Sequence, residues 1–253
     1  MHIEPGVVEG AKLVLSYATG TAALGYAARL AWVTAQKEGV LSVWLRAALA
    51  SVLVFGFFEV LPHHPVGVSE VHLILGTTLL LVLGVAPAAI GLAAGLAVQS
   101  LFFAPTDLPQ YGMNVTTLLL PLFATAAVAK RIVKADVAYV DVRYSQALKL
   151  SVAYQGGVVV WVAFWALYGH GFAIENLLEI AQFGGAYMTV VLAEPLIDLA
   201  VLAGAKALHR LHPVIHRRRD GLDLGISGGV RAGGGHSAMV PAAARWCVCM
   251  WAH

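Results

Sequence analysis

Ser69-Glu70-Val71-His72-Leu73-Ile74-Leu75-Gly76-Thr77-Thr78-Leu79-Leu80-Leu81-Val82-Leu83, followed by Gly84-Val85-Ala86-Pro87, is the stretch on which the element count of this chain depends. Its apolar run covers about 15 residues, short of the ~20 that cross a bilayer as one helix. A glycine followed by a proline disfavours helix continuation. This run and the next, Ala86–Phe103, therefore read as a hairpin of two spans with a tight connection, and the chain then has seven spans. A single long kinked helix is the alternative and gives six. Ser69 is placed to cap the third helix, which puts His72 in its first turn.

The remaining apolar runs set the class. They cover roughly Val8–Val33, Leu41–Leu61, Val115–Ile132, Ala147–Tyr168 and Leu177–Leu208. The 253 residues are 59% hydrophobic and 12% charged, where a soluble domain carries ~25% charge. The runs are continuous and do not alternate as outer-membrane barrel strands do. The expectation is an all-α polytopic membrane protein with about seven transmembrane helices. No cleavable signal peptide is visible.

Charge orients the spans. Arg29, Lys37 and Arg46 flank the first loop, and Lys130, Arg131, Lys134 and Arg143 flank the loop after the fifth span. Lys206, Arg210 and Arg217-Arg218-Arg219 follow the last, and no Lys or Arg occurs between Arg46 and Lys130. Basic loops stay in the cytoplasm, so the amino terminus falls outside and the carboxyl terminus inside. The amino terminus, the loop Pro62–Val68 and the loop Ala104–Asn114 then share the outer face, where Glu4, Glu9 and Asp107 add negative charge. Residues 1–211 carry 11 Lys/Arg against 12 Asp/Glu. They read as one transmembrane domain, and residues 212–253 as a flexible, basic, glycine-rich cytoplasmic tail. Nothing in this balance suggests a nucleic-acid partner. Both cysteines, Cys247 and Cys249, lie in the tail, so the membrane body needs no thiolate metal site.

Several stretches carry candidate chemistry. Met1-His2 offers an α-amine, an amide nitrogen and an imidazole within one chelate, a set suited to square-planar Ni(II), Cu(II) and some Co(II) sites. Leu61-Pro62-His63-His64-Pro65-Val66-Gly67-Val68-Ser69-Glu70-Val71-His72 holds three of the ten histidines. His72 is the candidate fourth nitrogen, His64 competes with it, and His63 ranks below both. Glu70, beside the expected cap Ser69, either favours the positive end of the third helix or attracts a divalent cation. Asn114, opening the fifth span, and Gln99, late in the fourth, either orient a ligand imidazole by a hydrogen bond or serve as a cap and an interhelical bond. Glu194 and Asp198 lie in the last span as buried carboxylates. They read as partners for a basic group, as a proton path, or as residues near the cytoplasmic end of a tilted helix. No Ser-His-Asp set, phosphate-binding glycine loop or metallohydrolase helix appears, so an enzyme is poorly supported.

Met1-His2-Ile3, the His-Pro loop leading to Ser69-Glu70-Val71-His72, and Gln99 followed by Tyr111-Gly112-Met113-Asn114 together resemble the substrate-binding membrane subunit of cobalt and nickel energy-coupling-factor transporters, the CbiM/NikM family. The resemblance covers about residues 1–210. It implies a seven-helix protein of the bacterial cytoplasmic membrane that captures Co(II) or Ni(II) through the terminal amine, the amide and imidazole of His2, and a loop histidine. It implies no organic cofactor. The implied partners are a membrane coupling subunit, cytoplasmic ATPases, a small accessory membrane subunit and the lipid bilayer. The family's Ser-Gly-His is one residue tighter than Ser69–His72, which keeps His64 open. A proton-coupled secondary metal transporter and a membrane metalloenzyme are the competing readings.

Overall fold

The computed structural model describes residues 3, 6–59, 64–133, 137 and 139–223. Met1, His2, Glu4, His63, Lys134 and the two cysteines fall outside the described residues. Seven α-helices are present among those described: α1 (Leu13–Glu38), α2 (Val40–Glu59), α3 (Gly76–Leu83), α4 (Val85–Phe102), α5 (Tyr111–Ile132), α6 (Tyr144–His170) and α7 (Ile174–Asp223). Two short strands, β1 (His64–Val66) and β2 (Ser69–Val71), form an antiparallel hairpin between α2 and α3. The all-α polytopic expectation holds with this small addition. Among the described residues, five helices are long and apolar enough to cross a membrane: α2, α4, α5 with the turn before it, α6, and α7 as far as Ala207. Helix α7 runs through residue 211, where composition alone suggested that the tail begins.

The bundle is apolar outside and mixed inside, as a lipid solvent dictates. Leu41, Trp44, Val52, Phe102, Val160 and Leu192 are exposed, whereas Ser16, Thr116, Thr117, Ser151 and Gln155 are buried. Lipid gives no hydrophobic drive for helix pairing, so close approach of small residues does the work. Gly91 and Gly95 of α4 lie against Ala50 and Val54 of α2, and a Cβ at either glycine would collide with them. Gly20 of α1 meets Gly112 of α5 in the same way.

The third apolar segment departs from expectation. It is not one helix, and Ser69 does not cap it. Ser69 sits in β2, α3 starts only at Gly76, and His72 lies in the extended link between them. Local chemistry explains the change. Pro65 has no amide to donate, and Val66, Val68 and Val71 are β-branched, which favours strand. Val66 pairs with Ser69 across the two-residue loop Gly67-Val68. Gly67 has φ +59, and Leu75 is the only non-glycine with positive φ among the described residues. A glycine at the first loop position followed by a residue of negative φ is the pattern of a type II′ hairpin turn. Without a helix start at Ser69, the helix-dipole reading of Glu70 also falls. Gly84, at φ 90 and ψ 161, separates α3 from α4, so they are two helices and not one kinked one.

Helix α3 has 8 residues, or ~12 Å of rise, well under the ~30 Å of a hydrocarbon core. The extended residues before it complete its course along α7. Gly67 abuts Glu179, Ile74 bonds Glu194, Thr78 bonds Asp198, and Leu81 packs in one cluster with Leu202. Irregular backbone at such depth is tolerated only where protein satisfies it.

Candidate metal centre

The site is built where the hairpin, Ile3 and the start of α5 meet. Glu70 lies in β2 and His72 is the first residue beyond it, and their side chains meet. Nε2 of His72 lies 2.8 Å from Glu70 Oε2. The ring is 1% exposed, and its edge packs on Phe58 of α2 with centroids 5.4 Å apart. A carboxylate on one ring nitrogen fixes the orientation of an imidazole and strengthens it as a donor. If Nε2 gives its proton to Glu70, the lone pair is on Nδ1.

Ile3 and the residues from Gly6 onward are strapped into this region. Ile3 is 1% exposed and forms an antiparallel bridge with Ser69. Its amide donates to Asn114 Oδ1 at 2.8 Å. Val7 and Val8 are buried against α6, where a Cβ on Gly169 would strike the Val7 carbonyl. His170 Nε2 lies 3.1 Å from the Gly6 carbonyl, and the Lys12 ammonium donates to the Gly169 carbonyl at 2.7 Å. Residues near a terminus are usually mobile unless tied down; Ile3, Gly6 to Val8, and Lys12 are each tied to the bundle.

The residues singled out from sequence thus divide. Ser69, Glu70, His72 and Asn114 are brought together with Ile3. Asn114 is fully buried, and its carboxamide holds backbone. Gln99 is buried in α4. His64 pairs through its backbone with Val71, while its side chain, like Met1 and His2, lies outside what is described. Among the described residues, no group of three His, Cys, Asp or Glu side chains converges. Glu194 and Asp198 are buried on α7 beside the same segment. Glu194 accepts the Ile74 amide, and Asp198 accepts the Thr78 hydroxyl and faces Ser151.

Sequence reasoning missed Phe58, Ile3 as an anchored strand residue, and Leu75. The alternation Val66, Val68 with Gly67 between was the available signal for the hairpin. Nothing local marks Leu75, which takes φ 52 and ψ 34 just before α3.

Fold and site define a multi-pass membrane protein that buries Ile3 beside a histidine-bearing loop. The chain belongs to the CbiM family, the cobalt uptake substrate-specific transmembrane region, whose family model matches residues 2–211. It is a membrane component of cobalt uptake, with cobalt as the transported substrate. Neither the curated proteins nor the solved structures contain a match to it.

Proposed function

We propose that this chain is the substrate-capture subunit of an energy-coupling-factor importer, and that it takes Co(II) or Ni(II) in a square-planar set of four nitrogens. The donors are the Met1 amine, the His2 amide and imidazole, and His72, with His64 as the alternative to His72. The observation that carries this reading is the anchoring of Ile3. Its amide is held by Asn114 and its backbone is bridged to Ser69, three residues before His72. Ile3 thus lies beside the His72 loop, which supports the two residues before it as the other donors. Glu70 sets the ring of His72, and Ser69 and Asn114 hold the backbone.

The chemistry suits a late first-row dication. The ion sheds water and displaces protons from the amine, the amide and the imidazole on binding. Copper(II) outranks cobalt and nickel in intrinsic affinity for such donors, so selectivity rests on geometry or supply. The outer face is the entry side, residues 1–211 form the permease domain, and the segment from 212 is a cytoplasmic tail. Release inward requires a membrane coupling subunit to distort the site while cytoplasmic ATPases hydrolyse ATP. The chain itself carries no catalytic role.

The test is metal content after purification in the presence of Co(II). His72→Ala should lose most of its bound cobalt, and His64→Ala should keep it. Cobalt retained by His72→Ala and lost from His64→Ala transfers the ligand role to His64. Retention in both variants and in the double variant contradicts the site.

A further inference from the structure

Leu75 and Glu194 meet at the break between the His72 link and α3. A bulky L-residue in the left-handed region is strained and persists only where its surroundings over-determine it. Leu75 is such a residue, 8% exposed at φ 52. The group that fixes it comes from α7. The Glu194 side chain, itself fully buried, accepts the Ile74 amide and faces that of Leu75. These two residues follow His72 by way of Leu73 alone.

Helix α3 is held at its other points as well. Asp198, one turn further along α7, accepts the Thr78 hydroxyl in the first turn of α3. At the far end Arg46 of α2 donates to the Leu83 carbonyl at 3.0 Å while paired with Glu38. Carboxylates at a helix start and a guanidinium at its end both match the helix dipole. Gly76 lets this start pack on Tyr154, since any Cβ there would run into the ring. The turn is therefore clamped from above by β2 and from below by α3. Glu194 is the only one of these side chains that bonds the break itself.

We propose that Glu194 is a positioning residue for the metal site. Its carboxylate acts through the amides of Ile74 and Leu75 to hold the His72 turn in its binding shape, so that movement of α7 reaches His72. The inference rests on the reading of His72 as a ligand. What Glu194 supplies is a hydrogen-bond acceptor at the right reach; its charge is not the essential part.

Two substitutions separate reach from charge. Glu194→Gln keeps the length and one acceptor oxygen but removes the charge. Glu194→Asp keeps the charge but is shorter by a methylene and falls short of the turn. With Co(II) as the probe, E194Q should bind within about threefold of the unchanged protein, and E194D should bind about tenfold or more weakly, as loss of a buried amide's partner implies. Leu75→Gly removes the penalty of the left-handed backbone, so L75G added to E194D should recover cobalt binding. The reverse order, with E194D near normal and E194Q impaired, overturns the proposal and assigns the carboxylate a charge role. Amide exchange at Ile74 and Leu75 gives a readout that does not depend on the metal: it should be faster in E194D than in E194Q, and equal rates overturn the latch. His72→Ala is run beside them. If that variant keeps its cobalt, the ligand assignment has failed, and exchange alone decides the role of Glu194.

Discussion

The α2–α4 pair and the β2–α3 segment cross the same bundle by opposite means. Between α2 and α4 the backbone satisfies itself through helical hydrogen bonds, and glycines set against Ala50 and Val54 do the packing. No polar side chain is needed there. Along β2–α3 the backbone leaves the helix, and side chains from elsewhere in the chain must satisfy it. Glu194 takes the Ile74 amide, Asp198 meets Thr78, Arg46 takes the Leu83 carbonyl, and Asn114 holds Ile3 beside Ser69. The regular pair supplies rigidity. The irregular segment uses polar side chains to satisfy backbone that has left the helix.

This contrast predicts different failures. Gly91→Leu should have the largest effect. Its side chain would collide with Ala50, and overpacking of this severity costs about 3 kcal/mol or more. Folded, monodisperse protein should fall steeply, while whatever folds keeps cobalt in normal proportion. Asn114→Ala should invert that pattern. It leaves the buried Ile3 amide without its acceptor, at a cost of about 1–3 kcal/mol. Fold survives, and cobalt per folded molecule drops about tenfold. Lys12→Met should have the smallest effect. Its bond to the Gly169 carbonyl is exposed, and such contacts count for little, so cobalt binding should stay within about twofold. A Gly91→Leu variant that lost cobalt selectively would erase the distinction between the two regions.

Much of this architecture was legible in the residues, and the exceptions have physical causes. Long apolar runs bounded by Gly and Pro marked α2, α4, α5 and α6 closely, because a helix in lipid must be both long and apolar. The run from Ser69 was misread because continuous apolar sequence carries no period that separates strand from helix. Gly67 and the valines around it held the missing information. The loop histidine, Ser69, Glu70 and Asn114 could be named from spacing. Their true contacts could not, since Ile3 and Asn114 are 111 positions apart and Ile74 and Glu194 are 120 apart. Buried carboxylates in α7 were recognisable as costly groups. That their partner is a backbone turn, and that the turn is left-handed at a leucine, depends on packing alone.

If the Met1 amine and His2 are ligands, as proposed, metal capture depends on the exact position of the terminal amine. Adding a single alanine before Met1 moves the amine out of chelate range and leaves every side chain in place. Cobalt content of the purified protein, compared between the extended and the unextended chain at equal folded yield, tests this most directly. Bound cobalt is expected in the unextended chain and lost from the extended one. Equal cobalt in both would contradict it.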